Sequence, residues 1–95
     1  MITVTIRIFA TFREKIGKKS IQYTFTDNTT VKEVIDVFCK DYNICKDIFH
    51  NEMNLKEYIS ILINGRNISL LKGLITSLKD KDELSIFPPL AGGLD

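Results

Sequence analysis

Apolar and polar residues alternate along several stretches of this chain, and the first eight residues show the pattern most clearly. A period of two is typical of a β-strand that buries one face and exposes the other. The predicted strands cover residues 2–9, 20–25, 58–63 and 83–87. A short return strand is predicted to begin at Arg66, because the preceding Asn64-Gly65 pair is a strong signal for a two-residue hairpin turn.

A helix is predicted after the second strand. Thr30 and Glu33 fit the T-x-x-E capping box that begins many helices. Apolar residues then recur every three or four positions, which places them on one helical face. We expect that face to pack on the sheet, and its members are Val31, Val34, Ile35, Phe38, Cys39 and Tyr42.

The segments between these elements are less regular. Residues 10–19 form a polar connection that carries Gly17, and residues 43–57 suit either a short second helix or a loop. Asp80-Lys81-Asp82 is expected to turn the chain into its last strand. Four residues of the preceding link are expected to contact the core: Leu71, Leu74, Ile75 and Leu78.

The predicted order of elements is strand, strand, helix, strand, strand, strand. One main helix packed across one face of a mixed sheet makes the chain an α+β protein. The order matches the ubiquitin-like roll, or β-grasp, in which the last strand lies beside the first. We therefore predict one β-grasp domain over residues 1–87, followed by a flexible tail over residues 88–95.

The tail has an unusual composition. It runs Pro88-Pro89-Leu90-Ala91-Gly92-Gly93-Leu94-Asp95. The prolines end the strand ladder and keep the chain extended, whereas the glycines lack a Cβ and can pass through a narrow channel. From Pro88 to Gly93 the reach is at most roughly 20 Å. The tail is therefore suited to insertion into another protein's active site, although a frayed terminus is the simpler alternative.

Composition excludes several classes of protein. The 95 residues are 44% hydrophobic and 26% charged, with a net charge of +1 and interspersed signs, so we expect one globular domain without a surface for nucleic acid or membrane. No apolar run approaches the length of a membrane span. The alternating N-terminus is unlike a signal peptide, so the cytosol is expected. Two cysteines there are not expected to form a disulfide framework.

Side chains with chemical potential are few. Cys39 is interpreted as a buried core thiol, and Cys45 as a residue that could be exposed; their spacing matches no standard metal site. His50 is interpreted as a solvated loop residue and not as a metal ligand. No catalytic triad or phosphate loop is present. We expect a chain that binds no metal and no cofactor tightly and is not itself an enzyme, so that a partner enzyme supplies the catalytic groups.

Motifs along the whole chain resemble the MoaD/ThiS sulfur-carrier family, and its MoaD branch in particular, which is the small subunit of molybdopterin synthase. Three shorter motifs are Phe9-Ala10-x-x-Arg13-Glu14-x-x-Gly17, Thr30-Val31-x-Glu33-Val34 and Ile63-Asn64-Gly65-Arg66. The most specific motif is Leu78-x-Asp80-x-Asp82-Glu83-Leu84-x-Ile86-Phe87-Pro88-Pro89-Leu90-Ala91-Gly92-Gly93. The family often has glycine in place of Lys81, and it usually ends at the second glycine.

The resemblance implies a specific chemistry at Gly93. An E1-like adenylating enzyme would use ATP to activate its carboxylate, which is then converted to a thiocarboxylate. The sulfur would pass to the precursor of the molybdenum or tungsten pterin cofactor on the large subunit of molybdopterin synthase, or on an equivalent acceptor enzyme. This role needs a free carboxylate on Gly93, so a processing peptidase would have to remove Leu94-Asp95.

Three other functions stay open. The chain could carry sulfur to thiazole, an amino acid or tRNA; it could be a ubiquitin-like protein modifier; or it could be an interaction module that is never activated. For any activated role we expect Phe87, Arg13 and Glu14 to bind the partner. Phe87 follows Ile86 directly, so it should face outward if Ile86 is in the core, unless Phe9 or a loop covers it.

Overall fold

The computed structural model describes residues 1–51 and 54–88, and these ranges contain seven strands and three helices. In chain order they are β1 (Ile2–Ile8), α1 (Ala10–Ile16), β2 (Ser20–Phe25), α2 (Val31–Asp41), α3 (Cys45–Ile48), β3 (Phe49–Asn51), β4 (Asn54–Leu55), β5 (Ser60–Ile63), β6 (Arg66–Asn67) and β7 (Glu83–Phe87). Two short 3-10 turns, Ile68–Leu70 and Gly73–Ile75, lie between β6 and β7.

Five strands form one mixed sheet in the order β2-β1-β7-β5-β6. β1 pairs antiparallel with β2 and parallel with β7, and β5 pairs antiparallel with β7 and β6. The last strand therefore lies beside the first, as predicted. This α+β, ubiquitin-like β-grasp architecture confirms the predicted fold class. A separate two-stranded sheet, β3-β4, follows α3, so the segment expected to be a short helix or a loop contains both a short helix and two short strands.

The hydrophobic core lies between the main sheet and α2. The inward residues of β1 alternate as expected, and the fully buried ones are Val4, Ile6 and Ile8. From α2, Val34, Ile35 and Phe38 are fully buried against them, so the predicted helical face is confirmed. In the central strand β7, Leu84 and Ile86 complete this layer.

The capping box begins α2 as predicted. The Thr30 hydroxyl accepts a hydrogen bond from the backbone N–H of Glu33 at 3.3 Å, and the Glu33 carboxylate accepts one from the N–H of Thr30 at 2.9 Å. The buried Thr29 hydroxyl also donates to this carboxylate. The hydrogen bond from the Thr30 backbone is the largest cause that lowers the pKa of Glu33, because these donors favour the charged form.

Several local expectations need correction. The connection over residues 10–19 contains α1, which ends at Gly17 in the left-handed conformation with φ 82°. Its periodicity was weak because only Phe12 of α1 is buried. The third predicted strand begins at Ser60 and not at Tyr58, whose backbone has φ 76° and whose side chain is exposed.

The link before β7 contacts the core less fully than expected. Leu78 is buried, and Leu71 and Leu74 pack partly against the core. Ile75 remains 65% exposed, so its predicted core contact was wrong. The segment folds as a 3-10 turn, whose three-residue period turns neighbouring side chains in different directions.

Cys39 and Cys45 are joined by a disulfide, so the expectation that these two cysteines stay unlinked was wrong. Cys39 is buried as expected, but it is not a free thiol. After α2 the chain reverses at Asn43, with φ 56°, and the N–H of Ile44 donates to the carbonyl of Cys39 at 2.9 Å. This reversal brings the two Cα atoms to 4.7 Å, within the range of a disulfide.

Candidate functional site at the root of the tail

The tail leaves the domain from the middle of the main sheet. β7 lies between β1 and β5, with Ile8 opposite Ile86 on one side and Ser60 opposite Phe87 on the other. Pro88, which directly follows β7, is buried. The remaining predicted site residues, Pro89, Leu90, Ala91, Gly92 and Gly93, lie outside the described part of the chain together with Leu94 and Asp95. The domain boundary at residue 87 and the flexible tail therefore stay predictions.

Two aromatic rings stack at this exit. Ile86 is fully buried and Phe87 is half-buried on the opposite face, which confirms the predicted alternation. Phe9 also covers Phe87, as the sequence analysis allowed. The centroids of the two rings are 4.3 Å apart, and the ring planes differ by 15°. Phe9 keeps an extended backbone just beyond β1, so parallel pairing places both rings on the same face.

Arg13 adds a cation to this arrangement. Its Nε donates to the carbonyl of Ile8 at 2.9 Å, and its Cζ lies 5.3 Å from the centroid of the Phe9 ring. The first turn of α1 sets this position, since the N–H of Arg13 donates to the Phe9 carbonyl. The distance is within the range of a cation–π interaction. We call Arg13, Phe9 and Phe87 the Phe9 stack.

The structure thus brings together two of the three predicted docking residues. Glu14 is exposed on α1 and forms no part of the Phe9 stack. Sequence reasoning did not assign a role to Phe9 beyond a cover for Phe87. The Phe9-Ala10-x-x-Arg13 spacing was the signal that could have identified this contact. Residues four apart lie on the same side of a helix, so Arg13 of α1 lies beside Phe9, the residue that precedes the helix.

The acidic turn before β7 fixes where that strand begins. Asp80 accepts a hydrogen bond from the N–H of Thr3 at 2.8 Å, and the N–H of Lys81 donates to the Thr3 carbonyl at 2.8 Å. Lys81 has φ 71°, a left-handed conformation in which glycine is less strained. A glycine at this position would adopt the same turn without that strain.

Asp82 and Asn64 connect the same turn to the β5–β6 hairpin. The Asp82 carboxylate accepts from the N–H of Lys79 at 2.8 Å and from the Asn64 side-chain amide at 3.0 Å. The Asn64 side-chain carbonyl in turn accepts from the N–H of Glu83 at 2.9 Å. The Asp80-x-Asp82 motif therefore sets the register of the strand that carries the tail.

An ion pair marks the outer face of the sheet beside the exit strand. Arg7 Nε donates to Glu83 Oε1 at 2.8 Å, and both side chains are about half exposed. This hydrogen bond lowers the pKa of Glu83 and raises that of Arg7, because it favours both charged forms. The outer face of the sheet is thus polar at Arg7 and Glu83, toward the start of β7 from the Phe9 stack.

The other candidate side chains lie apart from the tail. His50 is exposed in β3, and its Nε2 is 2.9 Å from a carboxylate oxygen of Glu57, whose pKa this contact lowers. Among residues 1–51 and 54–88, no three side chains of the kinds that ligate metals are grouped as a site. Within the same ranges, no helix has the length and hydropathy needed to cross a bilayer.

A β-grasp domain whose central strand continues into a Gly-Gly sequence defines a class of small ubiquitin-like carrier and modifier proteins. Within that class, the model of the ThiS family matches residues 6–93. The chain therefore belongs to the ThiS family, a family of small sulfur-carrier and ubiquitin-like proteins.

Individual relatives agree with this assignment. Small archaeal modifier protein 3 of Haloferax volcanii is 39% identical over 88 residues, which cover 93% of this chain and 96% of that protein. The solution structure of small archaeal modifier protein 1 from Methanosarcina acetivorans superposes with a TM-score of 0.83 at 36% identity, covering 98% of each chain. A chain of the Amycolatopsis orientalis BexX/CysO complex superposes with a TM-score of 0.75 at 31% identity, covering 95% of this chain and 99% of that one.

Proposed function

We propose that this protein carries sulfur as a thiocarboxylate on Gly93. Family membership supports this role, and one observation supports it most directly. The strand that leads to the Gly-Gly sequence is the central strand of the sheet, hydrogen bonded on both sides. A partner can therefore take hold of the tail while the domain itself stays folded.

The chemistry needs an activated acyl group. A carboxylate is a poor electrophile, because its negative charge repels nucleophiles and it offers no good leaving group. An E1-like enzyme transfers AMP from ATP to the Gly93 carboxylate and releases pyrophosphate. A sulfur nucleophile then displaces AMP from the carbonyl carbon and leaves the thiocarboxylate. The partner supplies the catalytic groups, and this chain supplies the terminus.

Residues that follow Gly93 must be removed before this step. Gly93 is joined to Leu94 by an amide bond and has no free carboxylate. A processing peptidase that cuts between them produces the reactive terminus. Two consecutive prolines favour an extended backbone, and glycines without a Cβ would let the backbone enter a narrow channel of either enzyme.

The acceptor we propose is a molybdenum or tungsten pterin precursor, bound to the large subunit of molybdopterin synthase or an equivalent enzyme. The Phe9 stack supports a docking role, since a half-buried aromatic surface lies directly where the tail begins. Aromatic residues, phenylalanine among them, and arginine are enriched at protein interfaces. Arg13 and Phe87 would contact the partner, with exposed Glu14 at the rim.

A second function has its own support. The relatives at 39% and 36% identity are both named as small archaeal modifier proteins. In a modifier, the activated Gly93 carbonyl would be attacked by a lysine amine of another protein and form an isopeptide bond. The first step, adenylation, is shared, so the two functions differ only in the nucleophile that reaches the carbonyl.

The test compares a chain that ends at Gly93 with the full chain, each incubated with ATP and the E1-like enzyme of the same organism. We expect the shortened chain to form an acyl-adenylate at once and the full chain only after peptidase treatment. Gly93→Val in the shortened chain is the matched control and should block activation. If the shortened chain forms no adenylate, the protein is an interaction module and not a carrier.

The recipient is identified by mass spectrometry of the tagged protein isolated from its host. Replacement of one terminal oxygen by sulfur supports the carrier function, whereas Gly93 linked to lysine in other proteins supports the modifier function. A strain that lacks the gene then distinguishes the possible acceptors of the sulfur. Loss of the pterin cofactor supports our proposal, and loss of thiazole, an amino acid or thiolated tRNA instead would contradict it.

A further inference from the structure

A cleft next to the disulfide lies between α2, α3 and β3. It encloses about 230 Å³, and both Cys39 and Cys45 line it. The ring of Phe49 forms part of its wall. The volume suits a small molecule and is too small for a folded protein. The disulfide thus lies in the wall of a cleft that a low-molecular-weight compound can enter.

The cleft is positively charged. Lys32, Lys40 and Lys46 line it, and among the described lining residues Asp36 is the single acidic one. Asp36 is already paired with Lys32, whose Nζ also lies 5.5 Å from the centroid of the Phe49 ring. Neither Lys40 nor Lys46 forms an ion pair with another described residue. The cleft therefore presents to an incoming anion two ammonium groups that no described carboxylate pairs with.

The two sulfur atoms differ in access. Cys39 lies in the last turn of α2 and is only 1% exposed, whereas Cys45 at the start of α3 is partly exposed. A nucleophile must attack a disulfide sulfur from the side opposite the leaving sulfur. Access therefore selects Cys45 as the sulfur that is attacked and Cys39 as the one that leaves.

We propose that this cleft is a site of thiol–disulfide exchange for small thiols that carry negative charge on carboxylate or sulfonate groups. Lys40 and Lys46 raise the local concentration of such anions, because charges that line a cleft attract ligands of opposite sign. The site is separate from the tail, and the proposal does not depend on the chemistry of Gly93.

The exchange step is balanced. The thiolate sulfur forms a bond to Cys45 Sγ, and the bond between the Cys45 and Cys39 sulfurs breaks. The electron pair leaves on Cys39, which then takes a proton from water. The product carries the small thiol as a mixed disulfide on Cys45. Attack by the Cys39 thiolate on Cys45 reverses the step and expels the small thiol, so no other oxidant or reductant is needed.

The experiment measures the rate of exchange on the intact, oxidised full chain at low salt. Two thiols of opposite charge, 2-mercaptoethanesulfonate and cysteamine, are supplied at equal thiolate concentration. The variant Lys40→Gln/Lys46→Gln is compared with the wild type, and Lys72→Gln/Lys79→Gln removes the same charge from exposed positions outside the cleft as the control. Samples are quenched with acid, and the adduct is located by peptide mass mapping.

We expect the ratio of sulfonate to cysteamine rates to fall about tenfold in the cleft variant and to change little in the control. The first adduct should lie on Cys45. Equal ratios in all three proteins would overturn the proposal, as would a first adduct on Cys39. It would also be overturned if purified protein had free thiols, or if exchange occurred only in denaturant. Circular dichroism checks that the variants are folded.

Discussion

The ring of Phe87 stacks on the ring of Phe9 with 4.3 Å between their centroids. One residue ends the last strand and the other follows the first strand, so the contact depends on the parallel pairing of β1 with β7. The hydrophobic surface at the start of the tail is therefore built from both ends of the domain's sequence. It forms only after the sheet is complete, so an unfolded chain does not present it to a partner.

The Phe9 stack allows docking to be separated from stability. Phe87→Ala should lower affinity for the E1-like enzyme by about 2 kcal/mol and the free energy of unfolding by about 1 kcal/mol, the loss of one aromatic pair. Phe9→Ala is the matched control, because it removes the same pair but leaves Phe87 in place. Phe9→Ala should lower the free energy of unfolding by a similar amount but should lower the affinity less than Phe87→Ala does. Calorimetric titration and urea unfolding measure the two quantities, and a stability loss with unchanged affinity in Phe87→Ala would contradict the docking role.

The capping carboxylate predicts a dependence of stability on pH. The pKa of Glu33 is lowered in the folded protein, so its stabilising contribution is complete above the unfolded pKa of about 4.3. The contribution is lost as the pH falls through the lower, folded value. Glu33→Gln retains an oxygen that can accept from Thr30 but cannot titrate. Its unfolding midpoint in urea should therefore fall less steeply below about pH 5 than that of the wild type.

Glu57 and Glu83 also have lowered pKa values, so the Glu33→Gln variant should retain part of the acid dependence. Two parallel curves for the variant and the wild type would show that the cap does not contribute to it.

The left-handed backbone of Lys81 predicts a stabilising substitution. Lys81→Gly removes a Cβ from a residue with φ 71°, which should raise the free energy of unfolding by about 1 kcal/mol, less the entropy that glycine adds to the unfolded chain. Lys81→Ala keeps the Cβ and should show no such gain. Thermal unfolding of both variants measures the difference. Equal stability of the two would mean that the turn carries no strain at this residue.

The disulfide predicts a redox-dependent stability. It links residues six apart in sequence, and a short loop of this kind should contribute about 2 kcal/mol by constraining the unfolded chain. A reducing agent should therefore lower the urea midpoint of the wild type. It should leave Cys45→Ala unchanged, because that variant has no disulfide to reduce. A wild type that is insensitive to reductant would rule out this contribution.

Most of the fold could be predicted from regular patterns of apolar and polar residues in the sequence. The alternation from Ile2 to Ile8 and the capping box at Thr30 identified β1 and α2, because burial on one face determines both patterns. The helix α1 was missed since it buries little, and Ile75 was misplaced because a 3-10 turn has its own period. The candidate site residues Arg13, Glu14 and Gly93 were identified partly through the resemblance of their motifs to a known family.

Long-range geometry explains what sequence reasoning could not reach. The spacing of Cys39 and Cys45 is compatible with free thiols or a disulfide, and only the reversal at Asn43 decides between them. The hydrogen bonds of Asp80 to Thr3 and of Asp82 to Asn64 join distant parts of the chain, so their role in strand register becomes evident only in the folded protein.

The position of β7 has a mechanical consequence. Four residue pairs connect it to β1 and four connect it to β5. A pull on the tail along the strand direction loads these hydrogen bonds together in shear, whereas an edge strand pulled sideways would lose them one at a time. A partner that draws the terminus into a deep channel can therefore exert considerable force before β7 is extracted. The central strand thus ties the tail to the sheet through hydrogen bonds on both of its sides.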